Sequence, residues 1–297
     1  MPSSPPAAAQ PVLRFAPSPN GRLHLGHALS ALTNERLAQT MGGRLLLRIE
    51  DIDRERCRPA LDTALREDLA WLGIIFEDGV RRQSEHFGDY RAALDDLHRR
   101  GLVYPCFCSR QEVKAAAAAR AAETGEPWPT DPDGAPLYPG TCRARIRSEG
   151  TGGAIGRPHV LRLDGERALA VAGEDLAYDV FDASGGVTRV VAQPRRWGDV
   201  VLARKDVPTS YHLSVVVDDA RQWVTHVVRG RDLEAATDIH VLLQRLLRLP
   251  TPFYLFHDLL ADAEGRKLAK SRGSESLADL RARGVTAEQI RRELGFA

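Results

Sequence analysis

Apolar and polar positions along this chain fall into two alternating rhythms. Val12 to Phe15 is a short apolar run that enters a Pro/Gly turn, APSPNGRLHLGH, and it reads as a strand. A helix is predicted from about His27 to Met41, with Gly42-Gly43 ending it. Arg44 to Ile49 is a second apolar run, suited to a sheet covered on both faces. Pro59 stands where a first helical turn tolerates it, and Leu61, Leu65, Leu69 and Leu72 then share one helical face. Another helix is predicted from about Phe87 to Arg100, stopped by Gly101. Strand, helix, strand and helix in this order imply an α/β fold with a Rossmann-like, doubly wound parallel sheet.

The texture changes from Val103 to roughly Gly186, where cysteines, prolines and glycines punctuate the chain. One Ala-rich helix follows Ser109, which with Glu112 forms a capping-box pair. This region reads as an insertion between two halves of the sheet. The pattern resumes near Gln193, with strands at Asp199 to Ala203 and Trp223 to Val228 and a helix from Leu233 to Leu247. After Thr251 to Phe256 come the polar loop GRKLAKSRGS and two short helices. The expected divisions are a disordered tail over 1–11, a first catalytic half over 12–102, an insertion over 103–192 and a second half over 193–297. There is no internal repeat.

Composition narrows the picture a little. With 297 residues, 43% hydrophobic and 27% charged, the chain has the material for a real core. Lys+Arg at 41 against Asp+Glu at 40 gives a net charge of +1, so any nucleic-acid partner must be met by local basic groups. Arg195, Arg196, Arg204 and Lys205 are candidates for an RNA backbone, and equally for a solvated face. The opening MPSSPPAAAQP lacks the basic and apolar regions of a signal peptide, and no stretch has the length and apolarity of a membrane span. A cytoplasmic protein without a membrane partner is expected, acting as a monomer. Four cysteines are too few for a disulfide scaffold.

Two short motifs carry chemistry. His24-Leu25-Gly26-His27 follows a strand and opens a helix, where two imidazoles and free N–H groups can face a phosphate. Gly26 leaves room for a nucleotide. The plain alternative is a pair of capping or surface histidines. Lys267-Leu268-Ala269-Lys270-Ser271 puts two lysines in a Gly-flanked loop, suited to the charge that builds on a triphosphate, or to a solvated basic loop. Cys106 and Cys108 are spaced as strand-edge metal ligands and Cys142 could complete three thiolates; the alternative is reduced core cysteines. Cys57 reads as a plain thiol.

HLGH early and KLAKS late resemble the paired signatures of class I aminoacyl-tRNA synthetases. RFAPSPNGRLHLGH, followed by Leu47-Arg48-Ile49-Glu50-Asp51, resembles the glutamyl and glutaminyl branch more particularly. The similarity runs from about Arg14 to Ser271, and Ala269 stands where the family often has Ser. It implies activation of L-glutamate by ATP with Mg²⁺, His24, His27, Lys267 and Lys270 being catalytic and His24, Gly26, His27 and Lys270 contacting ATP. It further implies that Arg14, Phe15, Ala16, Pro17, Ser18, Glu50, Tyr211 and Arg229 contact glutamate. Arginines can fork onto carboxylates, Glu50 can hold the ammonium and Tyr211 can donate a hydrogen bond. Zinc-bearing relatives of the branch use CxC and YxxxC, which adds Tyr138 to Cys106, Cys108 and Cys142 as ligands of one structural Zn²⁺, with His159 as an alternative to Tyr138.

A full synthetase of this branch carries an anticodon-binding domain after its lysine loop, whereas this chain ends soon after KLAKS. In this it resembles the stand-alone catalytic cores of the branch, and that resemblance implies activation of glutamate without tRNA and its transfer to queuosine in the anticodon of tRNA(Asp). A shortened synthetase charging tRNA(Glu), a nucleotidylyltransferase and a non-catalytic RNA-binding paralogue are the competing readings.

Overall fold

The structure is a computed structural model that describes residues 10–149, 157–260 and 275–296. The chain begins with β1 (Val12–Phe15), α1 (Leu25–Thr40), β2 (Arg44–Ile49), α2 (Pro59–Trp71), β3 (Arg81–Arg82) and α3 (Phe87–Arg99). β1 pairs in parallel with β2, and β2 with β3. Successive residues feed opposite faces. Val12 and Leu46 join a core with Tyr90, Leu94 and Leu97, while Leu13, Phe15, Leu45, Leu47 and Ile49 join a second core with Leu32, Leu65 and Leu69. The sheet is thus covered on both sides, which is what its continuous apolar strands require.

Next come β4 (Val103–Cys106), α4 (Arg110–Thr124), α5 (Thr141–Glu149), β5 (Val160–Leu163), α6 (Gly165–Ala172), β6 (Ala177–Phe181), β7 (Val187–Val191) and β8 (Val201–Ala203). The predicted capping box of α4 is present: Ser109 Oγ accepts from the Glu112 N–H at 3.2 Å, and the Glu112 carboxylate accepts from the Ser109 N–H at 2.6 Å. β4, β5 and β8 form a small antiparallel sheet.

The last part runs α7 (Tyr211–Arg221), β9 (His226–Gly230), α8 (Thr237–Leu247), β10 (Phe253–His257), α9 (Leu277–Ala282) and α10 (Ala287–Glu293). The apolar pattern names no element for residues 211–221, which form α7. β9 starts at His226 rather than Trp223, because Trp223 takes a left-handed turn (φ 55°) after α7. β10 pairs in parallel with both β9 and β6, and β7 adds an antiparallel edge.

Strand pairing therefore crosses the division expected at 192/193. β6 and β7, within 103–192, pair with the main sheet, and β8, within 193–297, pairs with β5. Burial goes with these pairings: Tyr178 and Phe181 of β6 feed the two main cores, one on each face, and Leu202 and Ala203 of β8 enter the first of them together with Leu163 of β5. Thr225 joins the two halves. Its N–H donates to the Val12 carbonyl at 3.0 Å, and its hydroxyl accepts from the Val12 N–H at 2.8 Å. β1 thus lies beside the start of β9, and the strand order reverses there, a point at which doubly wound sheets bind ligands.

A buried charge network crosses this junction. Arg48 of β2 has a fully buried side chain and donates to Asp219 Oδ1 at 2.8 Å and to Gln222 Oε1 at 3.0 Å, both near the end of α7. Arg14 of β1 donates to the same Asp219 oxygen at 3.1 Å. Asp218 accepts from Arg81 (2.7 Å), Gln83 (2.9 Å) and the Tyr90 hydroxyl (2.8 Å). Burial works against an ionised Asp219, but Arg14 and Arg48 hold its carboxyl below the usual range. Asp219→Asn leaves two buried guanidiniums short of a counter-charge and should cost about 3–5 kcal/mol. The measurement is the urea midpoint at neutral pH. Because the folded value is lowered, the wild-type advantage is full above the ordinary carboxylate range and should shrink as pH falls below about 4.

Candidate active site

A cavity of about 570 Å³ opens at the carboxyl ends of the strands flanking the reversal. It collects the residues expected to contact an amino acid: Arg14, Phe15, Ala16, Pro17 and Ser18 from the end of β1, Glu50 after β2, Tyr211 at the start of α7 and Arg229 near the end of β9. His24, Gly26 and His27 line the same cavity. Lys267 and Lys270 lie outside the described residues. The flanks of their segment meet the site: residues 257–260 line it, and the Leu277 N–H donates to the Leu23 carbonyl at 2.8 Å, next to His24.

His24 is the N-cap of α1, which begins at Leu25 rather than His27. Its Nδ1 accepts from the Gly26 N–H at 3.1 Å, and His27 Nδ1 accepts from the His24 N–H at 3.2 Å. An accepting Nδ1 puts the proton of each neutral ring on Nε2. The rings lie 3.9 Å apart at the positive end of the helix, so the histidines are caps and cavity lining at once. A closer neighbour than a nucleotide crowds Gly26, since a methyl group there would stand 2.9 Å from His24 Cε1.

The arginines differ in their company. Arg14 shares Asp219 with Arg48. Arg229 is 4% exposed, and its partners are Thr237 Oγ1 at 2.6 Å, His240 Nδ1 at 3.2 Å and the Tyr211 hydroxyl at 3.4 Å. Among the described residues no carboxylate pairs with it. Burial raises the Glu50 carboxyl above its ordinary value, with Arg48 and Arg14 pulling the other way. A cation bound beside Glu50 would favour its ionised form. Glu50 also donates its backbone N–H to the Pro17 carbonyl at 3.0 Å, fixing the 14–18 turn against β2. Cys57 lies at this edge, its Sγ 3.6 Å from Ser18 Oγ.

Sequence reasoning missed Asp218, Asp219, Thr237, His212 and His240, which hold the site from behind. A signal was present in Arg48. A charge inside the run LLLRI of a two-faced sheet demands a buried partner, and the Asp pair closing an apolar run is where such a partner stands.

A second cluster lies at the small sheet. Cys106 ends β4, Cys142 opens α5, and the sulfurs of Cys106, Cys108 and Cys142 lie within 4.8 Å of one another. The Tyr138 oxygen is 3.3 Å from Cys106 Sγ and 3.6 Å from Cys108 Sγ, and Cys108 and Cys142 sulfurs are 3.5 Å apart. Tetrahedral zinc with sulfur at about 2.3 Å sets ligand sulfurs about 3.8 Å apart, so the donor set fits such an ion. The Cys142 N–H donates to the Tyr138 oxygen at 2.8 Å, and the Arg162 guanidinium lies 4.0 Å from the Tyr138 ring centre. His159 is not in the cluster; its Nδ1 meets the Arg157 carbonyl at 2.8 Å and its ring packs on Phe107. Of the basic residues considered for RNA, Arg196 pairs with Asp238 (2.7 Å) and Arg204 with Asp53 (3.1 Å) and Asp206 (2.8 Å).

Comparison with known proteins adds the following. Residues 11–295 match the family described as tRNA synthetases class I (E and Q), catalytic domain. The chain is 46% identical to the Glutamyl-Q tRNA(Asp) synthetase of Rhodobacter capsulatus, over 96% of this chain and 100% of that protein. It is 39% identical to the Glutamyl-Q tRNA(Asp) synthetase of Symbiobacterium thermophilum, over 95% of this chain and 85% of that one. The solved glutamate-tRNA synthetase of Elizabethkingia anophelis superposes with a TM-score of 0.66 at 26% identity, covering 89% of this chain. This chain spans about half of that structure, 53% of its length.

The crowding at Gly26 can be tested directly. A Gly→Ala exchange inside a helix normally stabilises by about 1 kcal/mol. For Gly26→Ala the opposite sign is expected, because the displaced His24 ring gives up its cap on the Gly26 N–H. A lower urea midpoint is the expected reading; a raised one would mean that the ring moves aside freely.

Proposed function

The chain belongs to the class I glutamyl and glutaminyl tRNA synthetases, as a catalytic domain with the ligase chemistry of that class, and on that premise we propose that it activates L-glutamate with ATP without tRNA and transfers the glutamyl group to queuosine in the anticodon of tRNA(Asp). The observation that carries this reading is Arg229. A buried guanidinium with only neutral partners, in one cavity with Glu50, Tyr211 and the HLGH histidines, is complementary to a small dicarboxylic amino acid beside a triphosphate. The relatives that this chain matches along most of their length carry the queuosine-directed name, and that supports the choice of acceptor.

The chemistry needs no general base at the first step. The α-carboxylate of glutamate is ionised at neutral pH and attacks the α-phosphorus of ATP, and pyrophosphate leaves. Arg229 and Tyr211 hold one carboxylate, Glu50 the ammonium, and Arg14 with the 14–18 turn orients the rest. The Nε2–H groups of His24 and His27 and the start of α1 stabilise the charge growing on the phosphates. Lys267 and Lys270, outside the described residues, are assigned to the same phosphates by the family resemblance, and Mg²⁺ accompanies ATP as substrate. A hydroxyl of the queuosine cyclopentenediol then attacks the activated carbonyl and AMP departs. Anticodon loops suit such recognition because their bases are accessible. A cytoplasmic setting goes with ATP and tRNA as substrates. Zinc held by Cys106, Cys108, Tyr138 and Cys142 would act as a structural clamp that ties β4 to α5.

Radiolabelled glutamate offered with queuosine-containing tRNA(Asp), the same tRNA carrying guanosine, and tRNA(Glu) tests the acceptor. Label is expected on the first alone, and to survive removal of the 3′ terminal adenosine. Stable label at the 3′ end of tRNA(Glu) would make this a shortened tRNA(Glu)-charging enzyme instead.

For the metal, protein purified without added zinc should contain one Zn²⁺ per chain, and Cys106→Ser should lose it. Loss should raise hydrogen exchange around β4 and α5 before the nucleotide site. Metal-free protein with unchanged exchange would end the clamp assignment.

A further inference from the structure

Arg229 differs from the other buried arginines in the chemistry of what holds it. Arg14 and Arg48 rest on the carboxylate of Asp219. Arg229 rests on a hydroxyl and an imidazole: Thr237 Oγ1 takes NH2 at 2.6 Å and His240 Nδ1 takes NH1 at 3.2 Å, both from α8. The guanidinium carbon lies 5.4 Å from the Tyr254 ring centre and 5.7 Å from that of Phe256. Its Nε is buried without a hydrogen-bond partner. All these contacts orient the charge, and none cancels it.

The imidazole partner is itself set from behind. A guanidinium only donates, so His240 Nδ1 must accept and its proton must sit on Nε2. That nitrogen lies 3.3 Å from His212 Nδ1, which therefore accepts in turn, leaving the His212 proton on its own Nε2. Trp197 packs edge-on against the His212 ring at 5.6 Å and is tied by its indole N–H to the Ala235 carbonyl at 3.1 Å. The order of donors runs one way, from Arg229 through His240 to His212. A proton added to His240 Nδ1 would turn a donor against a donor. Burial, and after it the charge of Arg229, lowers the affinity of both rings for that proton.

We propose that Thr237, His240 and His212 are specificity-determining positioning residues, a clamp of neutral acceptors that immobilises Arg229 and leaves its charge uncompensated for the side-chain carboxylate of the amino-acid substrate. This deepens, and rests on, the glutamate-activating reading above. A carboxylate in the place of His240 or Thr237 would hold Arg229 equally still. It would also satisfy the charge, and glutamine could then enter without leaving a buried cation unpaired. The neutral clamp makes that substitution of substrate costly.

The test compares near-isosteric variants that differ only in charge. His240→Asn offers an amide oxygen close to where Nδ1 stands, and His240→Asp offers a carboxylate in the same place. ATP–pyrophosphate exchange is measured with glutamate and with glutamine, in the presence and absence of tRNA. In wild type the ratio of kcat/KM values should favour glutamate strongly. His240→Asn should keep most of that preference. His240→Asp should lower it at least tenfold relative to His240→Asn, chiefly by raising the KM for glutamate. If either variant fails to give a cooperative unfolding transition, Thr237→Asn and Thr237→Asp make the same comparison at the other nitrogen. Equal glutamate preference in the Asn and Asp variants, beside a glutamate-selective wild type, would overturn the clamp and leave the functional reading standing. A wild type that exchanges neither amino acid would overturn both.

Discussion

One carboxylate, Asp219, fastens α7 to two neighbouring strands of the sheet by accepting from Arg14 of β1 and Arg48 of β2 at the same oxygen. Arg48 cannot reach water, so β2 can occupy the centre of the sheet only with α7 laid against it and the Asp218–Asp219 pair brought to its face. The same contact sets the rest of the site. With β1 and β2 pinned to the end of α7, Tyr211 at the opposite end of that helix comes to the cavity, and Glu50 leaves β2 beside it.

Charge is distributed unevenly around this anchor. The arginines of the core are compensated in place, and the cost of burying them is offset inside the protein. Arg229 lies a strand away and is surrounded by a hydroxyl, an imidazole and two aromatic rings. The fold pairs its other buried guanidiniums with acids and leaves this one at a cavity with neutral partners, the arrangement on which the proposed carboxylate site rests. Glu50, whose carboxyl is raised by burial and which meets Arg48 at 3.4 Å, sets an acid in the same cavity. The two together describe an amino acid with a second carboxylate better than either does alone.

The small antiparallel sheet and its cysteine cluster solve a different problem. Val103, Leu163 and Leu202 of β4, β5 and β8 pack into the first main core, whereas the cysteine cluster lies beside Tyr104 at the end of β4, and the connection from there to α5 is rich in Gly and Pro. Three sulfurs and a phenol oxygen are drawn together at the end of β4, where Cys142 of α5 accepts from the Phe107 N–H at 3.4 Å. At the other side of the molecule, α9 is fastened to the turn before His24 by the Leu277–Leu23 hydrogen bond and by the burial of Leu277. The chain after the lysine segment is thereby returned to the helix that carries HLGH.

Much of the main sheet was legible in one dimension. β1, β2 and α2 to α4 follow from apolar runs, helical spacing, Gly stops and a capping box, all of which act between residues close in the chain. HLGH, KLAKS and CxC likewise keep their chemistry in short spacings. The membership of β6 and β8 was not legible, since a strand's sheet is decided by which partner buries its faces, and both partners lie far away in sequence. Nor was α7, whose run of valines has no local preference strong enough to declare a helix. The roles of Asp219, Thr237 and His240 were decided by tertiary structure alone. Each is an ordinary polar residue on a helix until the sheet closes beside it, and only then does the low dielectric of the interior turn its charge, or its lack of charge, into a property of the site.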